Sequence, residues 1–466
     1  IVSGGMHDFY ELMLPRLAAR DGFLFGGGTF LSGAYWLEVS VHVFGGAPLW
    51  IALLLMFVLV LIMATYLAFL GWAIASITCG NAWRLALLGP ALWALVEWAR
   101  GWLLSGFPWL SFGYGQIDSP LAGWAPVIGV YGVSWMLLVS AAALVPLAIG
   151  QGSRLAALVL CAIPWLCGGL LDSHDWTEVS GEPLTVTIVQ GGVSQDRKWL
   201  REQFAPTLNL YRDALKAAPT SELVVWPEVA IPAVMHQVES YLDLLQRDLR
   251  SRGQTLALGI LEPHANGEQV YNSVLLLNGQ VQQTYRKRHL VPFGEYFPVS
   301  DFVREWMRLM SLPNSDMVAG DDRQPLLVTA GDTRLAAAIC YEDAYGAEQL
   351  YAFPDAELVI NVSNDAWFGE TIAAQQHLQV ARMRALEVER SVVRSTNTGI
   401  SAFIDHDGEI VDIAPQFEFA TLTQAVSPRS GSTPYVSTGN WLLLVLLSAI
   451  VLPVAFRHRA SVKRGV

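Results

Sequence analysis

The stretch "LWIALLLMFVLVLIMATYLAFLGWAIASITC", residues 49–79, contains no charged side chain. It lies within a run from Val39 to Trp83 that is free of Asp, Glu, Lys and Arg, and a second such run goes from Ser119 to Ser153. Both exceed the roughly 20 apolar residues that a helix needs to cross a bilayer, whereas an apolar helix in a soluble core seldom runs beyond about 14. These runs therefore read as membrane spans. Working outward from them, hydrophobic patterning places spans near 22–44, 49–79, 83–107, 120–149, 155–171 and 440–456, six in all. Apart from Glu38, Glu97 and Arg100 they carry almost no ionisable residues. That argues against a transporter or channel, whose spans would be lined with such groups.

The rest of the chain has a different composition. Between residues 172 and 439 lie 35 of the 41 acidic and 20 of the 29 basic residues, a formal charge of −15. Such a segment can bury a core of its own. Its acidity argues against a nucleic-acid partner, because phosphate binding needs clustered Lys and Arg. The expected division is an unassigned segment over 1–21, a membrane domain of about five helices over 22–172, a catalytic domain over 181–430, a last span over 440–456 and a basic cytoplasmic tail over 457–466.

Arg16, Arg20, Arg84, Arg154, Arg457, Arg459, Lys463 and Arg464 fall in the terminal tails and alternate loops, while the opposite loops near 45–48 and 108–119 carry no Lys or Arg. Positive residues mark the cytoplasmic side, so the acidic domain is predicted to face away from the cytoplasm. If that space is oxidising, structural cysteines there pair. Cys79, Cys161 and Cys167 lie in predicted spans, which leaves Cys340 as the single cysteine of its domain. An unpaired thiol in such a place is either buried or used.

The acidic domain reads as strands at 184–190, 222–228, 255–262, 270–278, 334–342, 357–365 and 393–405, with helices over 198–217, 236–252 and 372–390. Asn278-Gly279 and Asp407-Gly408 are hairpin signals. Strands mixed with helices and hairpins predict a layered α/β sandwich with mixed sheets. Glu228 follows "VVWP", Lys287 follows "QQTYR" and Cys340 closes "LAAAI". Each stands at a strand end, where sites of α/β folds gather. A carboxylate can take a thiol proton, a thiolate can attack an acyl carbonyl, and an ammonium can stabilise the oxyanion. Singly, each residue has a plainer reading: an inert buried cysteine, a turn carboxylate, one lysine of a solvated basic run.

In this order "VVWPE", "YRKRHLVPFGEYFP", "ICYE", "NVSNDAWFG" and "STNTGISAFID" resemble the nitrilase superfamily. With spans on both sides, the chain resembles its membrane-embedded branch, the apolipoprotein N-acyltransferase family, from about residue 22 to the end. The resemblance implies a polytopic α-helical membrane domain plus an α/β nitrilase-like (α-β-β-α) sandwich. It makes Cys340 the nucleophile, Glu228 the general base and Lys287 the oxyanion-stabilising cation. Glu295 becomes a second carboxylate beside the lysine, and Tyr341 and Glu342 support the thiol. Trp199 matches a tryptophan near the acyl pocket, although ordinary core packing would also account for Trp199 and Tyr341. The implied reaction takes an acyl chain from a phospholipid, through a thioester, to the amine of a diacylglyceryl-cysteine apolipoprotein at a bacterial inner membrane. A membrane-anchored amidohydrolase with the same triad is the rival.

Two departures stand out. Gln190-Gly191-Gly192 lacks the asparagine of the family's "QGN". The family has eight spans; a start two spans further upstream would account for the six counted here and for an opening at Ile1, with the orientation unchanged.

The segment "DFVREWMRLMSLP", 301–313, would as a helix gather Phe302, Trp306, Leu309 and Met310 on one face, suiting a membrane-surface lid or a helix packed on its own domain. Glu97 and Arg100 are spaced to meet on one helix face. With no Gly-x-Ser-x-Gly, no phosphate loop and no His-x-x-x-His, no metal, nucleotide or other cofactor is predicted, His377 reads as structural, and the protein is expected to act as a monomer.

Overall fold

The computed structural model describes residues 2–78, 81–151, 153–296, 302, 305 and 317–464. The chain divides into two compact units, Ile1–Asp175 with Thr433–Val466, and Trp176–Ser432.

The first unit is helical: α1 (Val2–Gly33), α2 (Leu49–Thr78), α3 (Ala82–Arg100), α4 (Ala125–Ala148), α5 (Arg154–Asp172) and a C-terminal helix, Trp441–Arg464. Among the described residues, Leu49–Thr78, Pro120–Ala148 and Arg154–Asp172 are long and apolar enough to cross a membrane, and Trp441–Val454 is a shorter apolar stretch. Small residues let α1 and α2 approach closely. A Cβ added at Gly22 would lie 2.2 Å from the Leu67 carbonyl oxygen, and one at Gly71 would lie 2.2 Å from that of Ala18. This is the packing mode of helices in lipid, where no hydrophobic effect drives them together.

Three spans differ from the sequence reading, one of them the last helix, which continues to Arg464 through the residues expected as a basic tail. The helix expected over 22–44 begins at Val2, inside the segment left unassigned, and ends at Gly33, followed by the short helices Trp36–Val39 and Ser40–Phe44. Charges at Arg16, Arg20 and Asp21 masked its first half; Arg20 and Asp21 pair with each other at 2.9 Å on the exposed side. The span expected over 83–107 stops at Arg100. There the guanidinium turns back to donate to the carbonyls of Phe107 at 2.7 Å and Trp109 at 2.5 Å and to Ser111 Oγ at 3.2 Å. Glu97 accepts from Trp93 Nε1 at 2.9 Å and from the Phe112 N–H at 3.2 Å. The two ionisable groups thus bind the 107–112 turn.

Among the described residues the second unit holds fourteen strands: β1 (Thr177–Val179), β2 (Leu184–Gln190), β3 (Leu223–Val225), β4 (Thr255–Pro263), β5 (Val270–Leu277), β6 (Gln282–Arg286), β7 (Leu327–Val328), β8 (Arg334–Ile339), β9 (Leu358–Ser363), β10 (Val392–Thr396), β11 (Ala402–Ile404), β12 (Ile410–Ile413), β13 (Ala420–Val426) and β14 (Arg429–Gly431). They form two six-stranded sheets, ordered β13-β2-β3-β4-β5-β6 and β12-β11-β10-β9-β8-β7, and a small β1-β14 pair. In each large sheet the middle strands run parallel and the outer ones antiparallel.

Alternation explains the layers. Val186, Ile188 and Ala257 point into a core shared with Leu335, Ile339, Ile360 and Val362 of the other sheet. Their neighbours Val189, Leu256 and Leu258 point outward beneath α6 (Arg201–Ala217) and α7 (Glu239–Arg252). Strands covered on both faces read as unbroken apolar runs, which is why they were visible in the sequence. Each fully buried Leu, Ile or Val adds about 1.5–3 kcal/mol. Helix α8 (Ala373–Val388) flanks the second sheet. The expected hairpin turns occur, with Gly279 at φ +79 and Gly408 at φ +75. The strand expected over 393–405 is instead an antiparallel pair, β10 and β11, because "NTGI" turns the chain between them.

Candidate active site

Strand β3 ends at Val225, and the chain continues through buried Trp226 and Pro227 to Glu228. This segment runs hard against β4: a Cβ added at Gly259 would lie 2.5 Å from the Glu228 Cα, so only glycine fits there. The Glu228 carboxylate is buried and accepts from Asn272 Nδ2 at 2.7 Å. Lys287, one residue past β6, places Nζ 2.8 Å from Glu295 Oε1 and 3.8 Å from Glu228 Oε1. Asn272 Nδ2 also reaches Glu295 Oε1 at 3.0 Å, and Glu295 Oε2 accepts the Val291 N–H at 2.8 Å. Glu228, Lys287 and Glu295 thus share one buried cluster.

Cys340 follows β8 directly and takes φ +52, the left-handed region that residues with a Cβ avoid. That conformation ends the strand at Ile339 rather than at 342 and starts the helical turn Cys340–Ala344. Burial pushes the thiol pKa well up; the Glu228 charge adds to this and the Lys287 ammonium opposes it. The resting sulfur is therefore a thiol that needs a base. For Lys287, burial works against the charge, but the Glu295 carboxylate and then Glu228 outweigh it and hold the ammonium protonated. A cation fixed between two carboxylates and facing a thiol suits acyl transfer through a tetrahedral oxyanion.

Glu342 is sealed from solvent and ties the two halves of the site together. Its Oε2 accepts the Ile339 N–H at 2.7 Å and its Oε1 the Arg288 N–H at 2.7 Å, while Tyr285 OH donates at 3.1 Å. The strand end carrying Cys340 and the loop carrying Lys287 thus share one anchor. Tyr341 is half-buried, accepts from Tyr345 OH at 2.9 Å and packs edge-on against that ring. Trp199 is 54% exposed and lies outside the hydrogen-bonded cluster, so core packing does not account for it. The segment 301–313 lies outside the described residues except for Phe302, which is exposed, and Glu305. Cys79 also lies outside them; Cys161, Cys167 and Cys340 are free thiols.

Two residues of the cluster escaped the sequence reading. Asn272 holds both carboxylates, and its signal is a lone amide on an otherwise apolar strand face. Lys198 is buried, and its Nζ donates to the Glu228 carbonyl at 3.3 Å. Burial pulls its pKa down to about 8 despite the Glu228 charge. The missing asparagine at 192 also has an account. Gly192 has φ +62, and a Cβ added there would lie 2.7 Å from the Glu418 carbonyl carbon and the Phe419 nitrogen, so this loop takes glycine where an asparagine would clash. The loop is held through Asn397, whose carbonyl accepts the Gly192 N–H at 2.8 Å and whose side chain binds Val193.

A sandwich with this cluster defines a carbon–nitrogen hydrolase domain, and residues 185–435 match the family described as "Carbon-nitrogen hydrolase". Residues 12–143 match "Apolipoprotein N-acyltransferase N-terminal domain". Apolipoprotein N-acyltransferases from Methylococcus capsulatus and Nitrosomonas europaea are 40% and 41% identical to the chain, each over 94% of it and over 87% and 88% of their own lengths. That of Azotobacter vinelandii is 41% identical over 96% of the chain and 88% of its own. The chain belongs to the apolipoprotein N-acyltransferase family and is an acyltransferase of the nitrilase superfamily.

Proposed function

We propose that the protein transfers an acyl chain from a phospholipid to the N-terminal amine of diacylglyceryl-cysteine apolipoproteins, through a thioester on Cys340. The supporting observation is the buried Glu228–Lys287–Glu295 cluster whose charges act on the Cys340 thiol.

In the first step Glu228 takes the Sγ proton and the sulfur attacks the donor's ester carbonyl. Lys287 Nζ meets the oxyanion. Collapse breaks the ester C–O bond, and Glu228 returns the proton to the departing lysophospholipid hydroxyl. In the second step the acceptor amine attacks the thioester, its proton passes to Glu228, and Cys340 leaves as thiol while an amide forms. Glu295 keeps the lysine charged and aimed, and Asn272 holds the two carboxylates that flank it. Trp199 is assigned to the acyl side of the site, and Tyr341 to the support of the thiol. Both substrates are lipid-anchored, so helices that fix the site at a membrane confine the search to its surface. The absence of Lys and Arg from alternate loops supports a sandwich on the periplasmic side of an inner membrane, and the proposal takes the protein to act as a monomer.

The test is mass analysis of the purified protein after incubation with phospholipid. An acyl adduct on Cys340, cleaved by neutral hydroxylamine and transferred to a diacylglyceryl peptide, is the expected result. Cys340→Ser should form none. Release of free fatty acid without N-acylated peptide would instead indicate the hydrolase.

A further inference from the structure

Behind the nucleophile lie four charged side chains that the two-step reaction does not use. His377 on α8, Asp343 in the turn after Cys340, Asp365 after β9 and Arg394 on β10 are all buried. His377 Nδ1 lies 2.8 Å from Asp365 Oδ1, and Nε2 lies 3.0 Å from Asp343 Oδ1. The same Nε2 is 3.3 Å from the main-chain carbonyl oxygen of Cys340 itself. Arg394 grips the two carboxylates from their other oxygens, at 2.9 Å to Asp365 Oδ2 and 3.2 Å to Asp343 Oδ2, and also donates to Asn361 Oδ1.

Carboxylate and carbonyl oxygens only accept, so a ring nitrogen facing one must carry hydrogen. Neutral imidazole has a single N–H, and here both nitrogens face acceptors. The ring is therefore an imidazolium, and the set balances two cations against two anions. The electrostatics agree in direction. Burial and the Arg394 charge work against the proton, but Asp343 and Asp365 hold it, raising the pKa to about 9. The Phe368 ring closes one side edge-on, 6.1 Å away.

The left-handed backbone of Cys340 has to be held, because a residue with a Cβ does not favour it. Glu342 holds the N-terminal side through the Ile339 N–H. On the C-terminal side the carbonyl of Cys340 has His377.

We propose that His377 is a positioning residue for the nucleophile: one N–H binds the Cys340 carbonyl and Asp343, the other binds Asp365, and together they fix the turn that aims Sγ. The proposal rests on the reading of Cys340 as nucleophile. Releasing the carbonyl would let the peptide plane after Cys340 rotate and swing the sulfur. A shift of about 1 Å is enough to cost on the order of 10²-fold in rate.

The test uses the full-length protein carrying Asp343→Asn with His377→Gln, which removes one cation and one anion and leaves the set neutral. Adduct formation from a short-chain phospholipid is followed beside alkylation of Cys340 by iodoacetamide, a reagent that needs no aiming. Adduct formation at saturating donor should fall about 10- to 100-fold with half-saturation unchanged, while alkylation changes less than about 3-fold. Wild-type acylation by the variant, or equal losses in both reactions, would overturn the proposal. If the variant does not fold, ¹⁵N-histidine spectra of the wild type at pH 7.5 decide: both His377 nitrogens should be protonated, and a bare one overturns the proposal. A wild type that forms no adduct removes the nucleophile reading and this proposal with it, whereas a wild type and a variant that acylate equally remove this proposal alone.

Discussion

In α2 the outward side chains include Trp50, Leu54, Phe57, Leu61, Phe69 and Trp72, whereas in the sandwich the sealed side chains include Lys287, His377, Arg390 and Arg394. One unit exposes what a soluble protein hides, and the other hides what a soluble protein exposes. In the helical unit lipid is the intended solvent, so close packing falls to Gly22, Gly71 and buried alanines such as Ala52 and Ala64. In the sandwich the apolar layers are complete without the charges, and the sealed cations are tolerable because each is satisfied: Lys287, His377 and Arg394 face carboxylates, while Arg390 donates to the carbonyls of Ala356, Val388, Glu389, Pro354 and Gly431. Burial alone therefore says nothing of role; what matters is what the buried group is bonded to, a carboxylate or main-chain carbonyls.

The strongest way to break this contrast is to remove one sandwich cation. Lys287→Met should lower adduct formation about 10²–10³-fold. It should also destabilise the sandwich by about 3–5 kcal/mol, because Glu228 and Glu295 lose the charge between them. Nothing in the sequence announces the second effect, since a lysine in "YRKRHL" also suits a solvated basic run. Chemical denaturation followed by sandwich fluorescence checks it, and an unchanged curve would mean that the pairing is not what makes burial tolerable.

In the helical unit the corresponding intolerance is steric. Gly71→Val drives a side chain into the Ala18 backbone and should cost about 1–3 kcal/mol, read as earlier thermal aggregation in detergent. An unaltered aggregation temperature would show that α1 and α2 are not held by close approach.

A smaller effect sharpens the electrostatic side. Because the His377 pKa is raised from 6.5 to about 9, its contribution to stability is whole below pH 6.5, falls as pH rises, and is gone above about 9. Lys198 acts with the opposite sign, its lowered value making the fold more stable as pH climbs from about 8. The Asp343→Asn/His377→Gln variant loses the first contribution alone, so its melting temperature should vary less than the wild type's between pH 6.5 and 9. Equal slopes would mean that the folded ring carries no extra proton. The smallest effect is expected at Ile413, exposed on edge strand β12. Ile413→Thr should shift stability by no more than about 0.5 kcal/mol in a thermal melt.

What the sequence disclosed follows the same division. Strand β2 was legible residue for residue because an apolar run flanked by polar turns has few other readings, and α2 because nothing but lipid suits its composition. The first half of α1 was hidden by Arg20 and Asp21, which pair locally instead of marking a loop. Glu228, Lys287 and Cys340 stood out through their place at strand ends. Asn272, Lys198 and the set around His377 did not, because their meaning lies in partners up to 51 residues away along the chain, as between Asp343 and Arg394. His377 was read as structural; its geometry gives it a more specific task.

The left-handed backbone at Cys340 also bears on how such an enzyme can be altered. Glycine adopts φ +52 without penalty, whereas a side chain there costs about 1–2 kcal/mol. Thermostability and activity therefore pull this position in opposite directions. A library screened for heat resistance alone would drift toward glycine at 340 and discard the thiol on which the proposed reaction depends, so directed evolution of this scaffold has to select on turnover from the first round.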